Sequence, residues 1–177
     1  MWWLAALALL CSSAVLAAGT SEEETALARG KALVAPFKSE LMSTLSSALN
    51  AGPAAAVVAC RVEAPALAND SAPAGVRLGR ASDRLRNPAN RAPDWVAPLL
   101  ADYLAGIVPR APRSVFVGDG RRGYVEPIVI QSMCLTCHGE RLSDDVQARL
   151  DTFYPEDRAT GYRVDELRGV FWVEHPQ

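Results

Sequence analysis

The sequence predicts a single α+β domain in which helices pack against a small antiparallel sheet. Its 177 residues, half of them hydrophobic, suit one domain with a real core and leave little room for two. Apolar residues recur at helical spacing early in the chain, whereas β-branched and aromatic runs dominate later. Helices therefore come first, and strands with helices between them follow, an order that is typical of the α+β class.

Residues 1–18 have the pattern of a secretory signal peptide. The segment carries no charged side chain, ends in Ala17-Ala18, and precedes the acidic run Glu22-Glu23-Glu24. It is too short to span a bilayer comfortably. A basic start is missing, so the leader is atypical, and an uncleaved anchor stays open as the alternative. We expect residues 19–177 to form one domain in the periplasm or another exported compartment.

Two helices are predicted next. Residues 21–50 form a long amphipathic N-terminal helix, which Pro36 is expected to bend or split because proline removes a helical hydrogen bond. Its apolar face comprises Leu27, Val34, Phe37, Leu41, Leu45 and Leu49. Gly52-Pro53 ends this helix and begins a second one, since proline is tolerated in a first turn. The second helix carries Ala56, Val57, Cys60, Ala64 and Leu67 on one face and closes at residues 69–73.

The remaining elements alternate between strands and helices. A short strand is predicted at residues 76–82, a turn at 86–90 and a helix over 93–107. Residues 114–118 and 124–130 form a hairpin around Gly118-Asp119-Gly120. A helix over residues 144–153 turns Val146 and Leu150 inward, and residues 169–174 form a final buried strand.

Charge restricts the partners of the chain. With 18 basic and 20 acidic side chains the net charge is −2, which argues against a general nucleic-acid binder. The charge is uneven, because residues 61–122 hold ten arginines and six acids, whereas residues 126–174 hold five arginines and ten acids. The central arginines form either an ordinary solvated surface or a site for a bound anion.

The segment Cys134-Leu135-Thr136-Cys137-His138 matches the attachment motif of c-type haem. Two thiols at this spacing can add to the two vinyl groups of one porphyrin, and the following imidazole can bind the iron. Export supports this interpretation, because c-type haem is attached outside the cytoplasm. Two alternatives are a disulfide or redox dithiol, and a zinc site for which a second pair of ligands is missing.

A second axial ligand is harder to identify from the residues alone. Removing Cys11 and the two motif cysteines leaves Cys60 unassigned on an apolar helix face, where an inert core cysteine would also lie. The other possible donors are His175, close to a C-terminus where fraying is expected, and Met42, Met133, Lys31 and Lys38.

Several short segments match one family pattern, in order, along nearly all of the mature chain. They are residues 57–60, 64–68, 79–82, 86–90, 93–95, 126–127, 134–139, 159–162 and 168–169. In this combination the chain resembles the PAS-like c-type haem domains found in a cyanobacterial haem protein and in sensor regions of bacterial signalling proteins. The resemblance implies a PAS-like sheet with flanking helices, one covalently attached haem c, and iron ligated by His138 and Cys60. A thiolate ligand would stabilise ferric iron and lower the potential.

We therefore expect an exported mono-haem c-type cytochrome that acts in one-electron transfer or redox sensing with an unidentified redox partner, and not an enzyme. The alternative is a sensor of a diatomic gas in which Cys60 dissociates. Arg80 and Arg86 could clamp the haem propionates, or they could pair with Asp83, Asp94 or the sheet backbone. Core packing is the expected role of Trp95, Tyr124, Phe171 and Trp172.

Overall fold

The computed structural model describes the backbone of residues 6–177 and the side chains of residues 22–177. The start of the predicted leader, residues 1–5, and all of its side chains lie outside this range. The first helix, α1 (Ala6–Asn50), begins well before the predicted residue 21. Within the described residues no helix is both long and apolar enough to cross a membrane.

The sequence predicts that Pro36 bends or splits the first helix. It does not split α1, which continues through Pro36 to Asn50. A proline inside a helix costs about 3 kcal/mol or more. Val34, Phe37 and Leu41 are buried on either side of Pro36 and pack against the sheet, so tertiary contacts stabilise the helix where its own hydrogen bonding is weakened.

A close approach between α1 and the sheet depends on Gly30. A Cβ atom at this position would lie only 2.3 Å from the ring of Tyr124. Glycine therefore lets the helix cross the sheet at a distance that any larger residue would prevent.

The second predicted helix is two helices in the structure. Gly52, whose φ of 114° favours glycine, precedes α2 (Pro53–Val62), and α3 (Ala64–Asp70) follows after Glu63. Pro65 in the first turn of α3 explains the break, since it cannot donate a hydrogen bond back into α2.

The later helices lie close to their predicted positions. The helix α4 (Ala97–Leu104) ends before Ile107, which is 72% exposed, so the predicted end of this helix is wrong. Next come α5 (Leu135–His138), a single turn formed by the last four residues of the Cys134–His138 motif, and α6 (Asp144–Phe153), which has the predicted bounds. Val146 and Leu150 are buried, as predicted.

The sheet has four antiparallel strands in the order β1-β4-β3-β2. They are β1 (Arg77–Ala81), β2 (Arg113–Gly118), β3 (Arg121–Val129) and β4 (Leu167–Pro176). The hairpin of β2 and β3 is the predicted one, and the last strand of the chain lies between β1 and β3. The predicted α+β class, with a small sheet, flanking helices and a long N-terminal helix, is confirmed.

Helices cover both faces of this sheet. One face packs against α1 and α3 through Phe37, Leu78, Tyr124 and their neighbours, and the other packs against α4. Helices α2 and α6 pack against each other beside the sheet. The four predicted core aromatics contribute as expected, since Tyr124 is fully buried, Trp95 meets Trp172 edge to face, and Phe171 meets Phe37 in the same way. Phe171 and Trp172 also line cavities.

Candidate haem site

A cavity lies between α1, α2, the sheet and the attachment motif, and it encloses about 1100 Å³ including its open mouth. Most of its wall is apolar and comes from α1, α2 and the end of β3. All six residues predicted for the site line this cavity: Cys60, Arg80, Arg86, Cys134, Cys137 and His138.

The attachment motif is held in a short helical segment. A 3-10 turn over Ser132–Cys134 leads directly into α5, and the amide of Gly139 donates to the Leu135 carbonyl at 2.9 Å. Residues three apart lie on the same side of a helix, so Cys134 and Cys137 both contribute to the cavity wall. Within residues 22–177 neither cysteine forms a disulfide, and neither does Cys60.

His138 presents one ring nitrogen as a potential ligand. Its Nδ1 lies 2.6 Å from the Ala159 carbonyl oxygen, which can only accept, so Nδ1 carries the hydrogen. Nε2 is then the unprotonated nitrogen, and no hydrogen-bond partner is recorded for it among the described residues. Burial lowers the pKa of His138 well below its usual value, and the positive charges of Arg86 and Arg168 act in the same direction. A neutral imidazole oriented by a second hydrogen bond is the form that binds iron.

Cys60 lies on α2 and lines the same cavity as His138. Burial raises the pKa of its thiol, while the nearby guanidinium groups of Arg80 and Arg86 act in the opposite direction. Burial therefore favours the thiol over the thiolate. Binding to a metal ion would require it to release its proton.

Two cavity arginines lack a carboxylate partner. The guanidinium group of Arg80 forms no hydrogen bond or ion pair with any residue whose side chain the structure describes, and burial lowers its pKa. Arg168 donates to the Ser82 hydroxyl at 2.6 Å and to the Arg84 carbonyl at 3.1 Å, but it forms no ion pair within residues 22–177. Two partly buried positive charges that form no ion pair within residues 22–177 favour a ligand that carries negative groups.

Arg86 has a different environment from Arg80, although both line the cavity. It pairs with Asp157 at 2.9 Å, and each of these side chains is 9% exposed. It also donates to the Cys137 carbonyl at 2.6 Å and more distantly to the Ala159 carbonyl at 3.4 Å. Neither Asp83 nor Asp94, the carboxylates considered from the sequence, pairs with it. The acid that does so lies 71 residues further along the chain.

The segment at residues 157–162 supports the motif from outside the cavity, and sequence reasoning assigned it no role. Its backbone amides of Gly161 and Tyr162 donate to the carbonyls of Gly139 and His138, both at 2.9 Å. The Tyr162 ring meets the His138 imidazole edge to face at 6.3 Å. The only signal available from the sequence was that part of this segment belongs to the family pattern.

Other potential iron donors occupy distinct positions. Met42 and Met133 line the cavity and are 43% and 39% exposed. His175 is only 2% exposed within β4, so the predicted fraying of this end is wrong. It does not line the cavity. Lys38 forms an ion pair with Glu126.

Comparisons with known proteins agree with this architecture. Residues 18–176 match the family model described as Tll0287-like. The solved structure titled "Crystal structure of the cyanobacterial heme-protein Tll0287" has the same fold, with a TM-score of 0.55 and 23% sequence identity over 81% of this chain and 92% of that one. A search of curated proteins finds no match. The resemblance inferred from the sequence is confirmed, and the chain belongs to the Tll0287-like family.

Proposed function

We propose that this protein is an exported c-type haem protein that acts in one-electron transfer or redox sensing. One observation carries the proposal: both motif cysteines, an oriented imidazole and a third thiol, Cys60, line a single cavity with two arginines that form no ion pair within residues 22–177. The similar structure is that of a haem protein by its title, which agrees with this proposal. Iron in a bound haem would supply reversible one-electron chemistry.

Covalent attachment is the proposed role of Cys134 and Cys137. Each thiol would add to one vinyl group of the porphyrin, and the helical turn of α5 sets the separation of the two sulfur atoms. This attachment would keep the cofactor in place whichever axial ligands are bound. One haem c per chain is expected, because the sequence contains a single motif.

Axial ligation is proposed for Nε2 of His138 and Sγ of Cys60. The hydrogen bond from His138 Nδ1 to Ala159 fixes the tautomer and the ring orientation that ligation needs. A thiolate from Cys60 is anionic and donates strongly, so it stabilises the ferric state. With both positions occupied by side chains, electron transfer or redox sensing is favoured over catalysis at the iron.

Charge balance supports haem as the cofactor. Two propionates and a thiolate together bring three negative charges, and the ferric porphyrin core brings one positive charge. The two arginines without ion pairs, Arg80 and Arg168, would compensate the remaining two negative charges. We propose Arg80 as a propionate partner because its guanidinium group has no hydrogen-bond acceptor within residues 22–177.

Mass spectrometry and absorption spectroscopy of the purified exported protein test the proposal. We expect the mass of one haem in addition to the processed chain, and oxidised and reduced spectra typical of a six-coordinate low-spin haem. A polypeptide without an added tetrapyrrole would contradict the proposal. The same mass measurement locates the cleavage site of the proposed signal peptide.

A further inference from the structure

Arg86 and Asp157 form a nearly dry ion pair immediately behind the attachment motif. The two side chains are 2.9 Å apart, and Arg86 Nε also donates to Asp157 at 3.1 Å. A buried ion pair is costly to desolvate, so its net contribution to stability is often small. A contribution to stability therefore does not by itself account for the pair.

The pair belongs to a closed ring of hydrogen bonds that includes His138. The second carboxylate oxygen of Asp157 accepts the amide of Ala159 at 2.8 Å, and the carbonyl of Ala159 accepts His138 Nδ1–H at 2.6 Å. On the other side, Arg86 donates to the carbonyl of Cys137, the residue before His138, at 2.6 Å. The ring therefore holds the backbone of Cys137 and the carbonyl group of Ala159 in a fixed relative position.

We propose that Arg86 and Asp157 are positioning residues that fix the orientation of the His138 imidazole and the strength of its hydrogen bond to Ala159. This inference rests on the proposed haem function, since it concerns the proximal ligand. Neither side chain contacts Nε2; both act through the backbone atoms of Cys137 and Ala159. Arg86 also donates weakly to the Ala159 carbonyl, which reduces the capacity of that oxygen to accept from the imidazole.

The role depends on geometry more than on charge. The planar guanidinium group reaches one carboxylate and two carbonyls at once, whereas a lysine ammonium group supplies the same charge without this fixed fork. Asparagine at position 157 keeps an oxygen for the Ala159 amide but cannot form the ion pair. Conservative variants therefore separate a positioning role from a purely electrostatic one.

Electron paramagnetic resonance of the ferric holoprotein provides the test, with the variants Arg86→Lys and Asp157→Asn. The g values of a low-spin ferric haem report the orientation of its axial imidazole. We expect one set of g values in the wild-type protein, and a second set or a shifted highest g value in each variant, with covalent haem retained. The double variant should differ from wild type no more than the single ones do, because both changes break the same link.

A matched control is available beside the motif. Arg163 pairs with Glu140 at 2.7 Å in an exposed ion pair, so Arg163→Lys should retain the wild-type g values. If haem is attached and both Arg86→Lys and Asp157→Asn also keep those g values, the positioning role is refuted while the haem function stands. If the wild-type chain carries no haem, the proposed function fails, and this inference fails with it. Asp157→Glu serves as the second variant if Asp157→Asn does not fold.

Discussion

The carbonyl oxygen of Ala159 accepts a hydrogen bond of 2.6 Å from Nδ1 of His138, across 21 residues of chain. This contact places the proton on Nδ1. The lone pair of Nε2 is then available to bind a metal ion. Metal-binding histidines are almost always oriented by such a second interaction. The polypeptide itself therefore supplies the interaction that orients the imidazole, and the thiols of the motif lie in the same cavity wall.

Replacing both motif cysteines by alanine should abolish covalent attachment. In Cys134→Ala/Cys137→Ala neither thioether can form, so acid–acetone extraction should release all haem from the polypeptide, whereas wild-type haem should remain bound. His138 and Cys60 are unchanged in this variant, so residual non-covalent haem is compatible with the prediction. Haem that resists extraction from the double variant would contradict it.

Replacing Cys60 should change the coordination of the iron but not the attachment. In Cys60→Ala the thioether cysteines remain, so the haem stays covalently bound while the ferric iron loses its thiolate and becomes partly high-spin. The absorption spectrum of the ferric protein reports this change directly. Met42→Leu, at another lining position of the cavity, is the matched control and should retain the low-spin spectrum. A wild-type ferric spectrum in Cys60→Ala would remove Cys60 from the ligand set.

Local patterns in the sequence account for most of the elements. The bounds of α6 follow from its helical periodicity, and the hairpin of β2 and β3 follows from the turn residues between its strands. The sequence could not place β4 between β1 and β3, because pairing of distant strands leaves no local signal. It also could not indicate that α1 continues through Pro36, since the contacts that stabilise it there come from the sheet.

The same distinction applies to the candidate site. Cysteine and histidine are rare in this chain and have specific chemistry, so Cys60, Cys134, Cys137 and His138 could be selected from the sequence. The supporting groups could not, because the acceptor for His138 is a backbone carbonyl, which every residue possesses. Arg80 and Arg86 could not be told apart either, since only the fold shows that Asp157 neutralises one of them.

Removing the positive charge of Arg80 should lower the midpoint potential of the bound haem. A cation close to the iron favours the reduced state, which carries one negative charge more than the oxidised state. If the separation is taken as about 10 Å and the effective dielectric constant as near 20, one charge contributes about 1.7 kcal/mol. This corresponds to roughly 70 mV for one electron. Arg80→Gln should show a shift of this order in a redox titration.

The exposed arginine Arg163 provides the control for charge. Arg163 is paired with Glu140 and exposed to solvent, so its charge is screened and should have little effect on the potential of the haem. Arg163→Gln should leave the midpoint potential close to that of wild type. Equal shifts of the midpoint potential in Arg80→Gln and Arg163→Gln would show that the charge of Arg80 has no specific effect on the haem.

Substitution of Gly30 should destabilise the fold without altering the chemistry of the site. A methyl group at this position overlaps the ring of Tyr124, so α1 must move away from the sheet. Overpacking of this kind typically costs about 1–3 kcal/mol, which exceeds the gain of roughly 1 kcal/mol from replacing a helical glycine by alanine. Thermal unfolding of Gly30→Ala should therefore occur at lower temperature, whereas Ser39→Ala, at an exposed position of the same helix, should unfold like wild type.

Carbon monoxide should leave the spectrum of the reduced wild-type protein unchanged if Cys60 stays bound, because a six-coordinate iron offers no site for a gas. In Cys60→Ala the vacated position should bind carbon monoxide, with a shift of the main absorption band. This pair of measurements decides between electron transfer and gas sensing. A band shift in the reduced wild-type protein would show that Cys60 leaves the iron on reduction, and would favour a sensor of diatomic gases. Arg163→Lys, which alters only an exposed ion pair, should respond to the gas as wild type does.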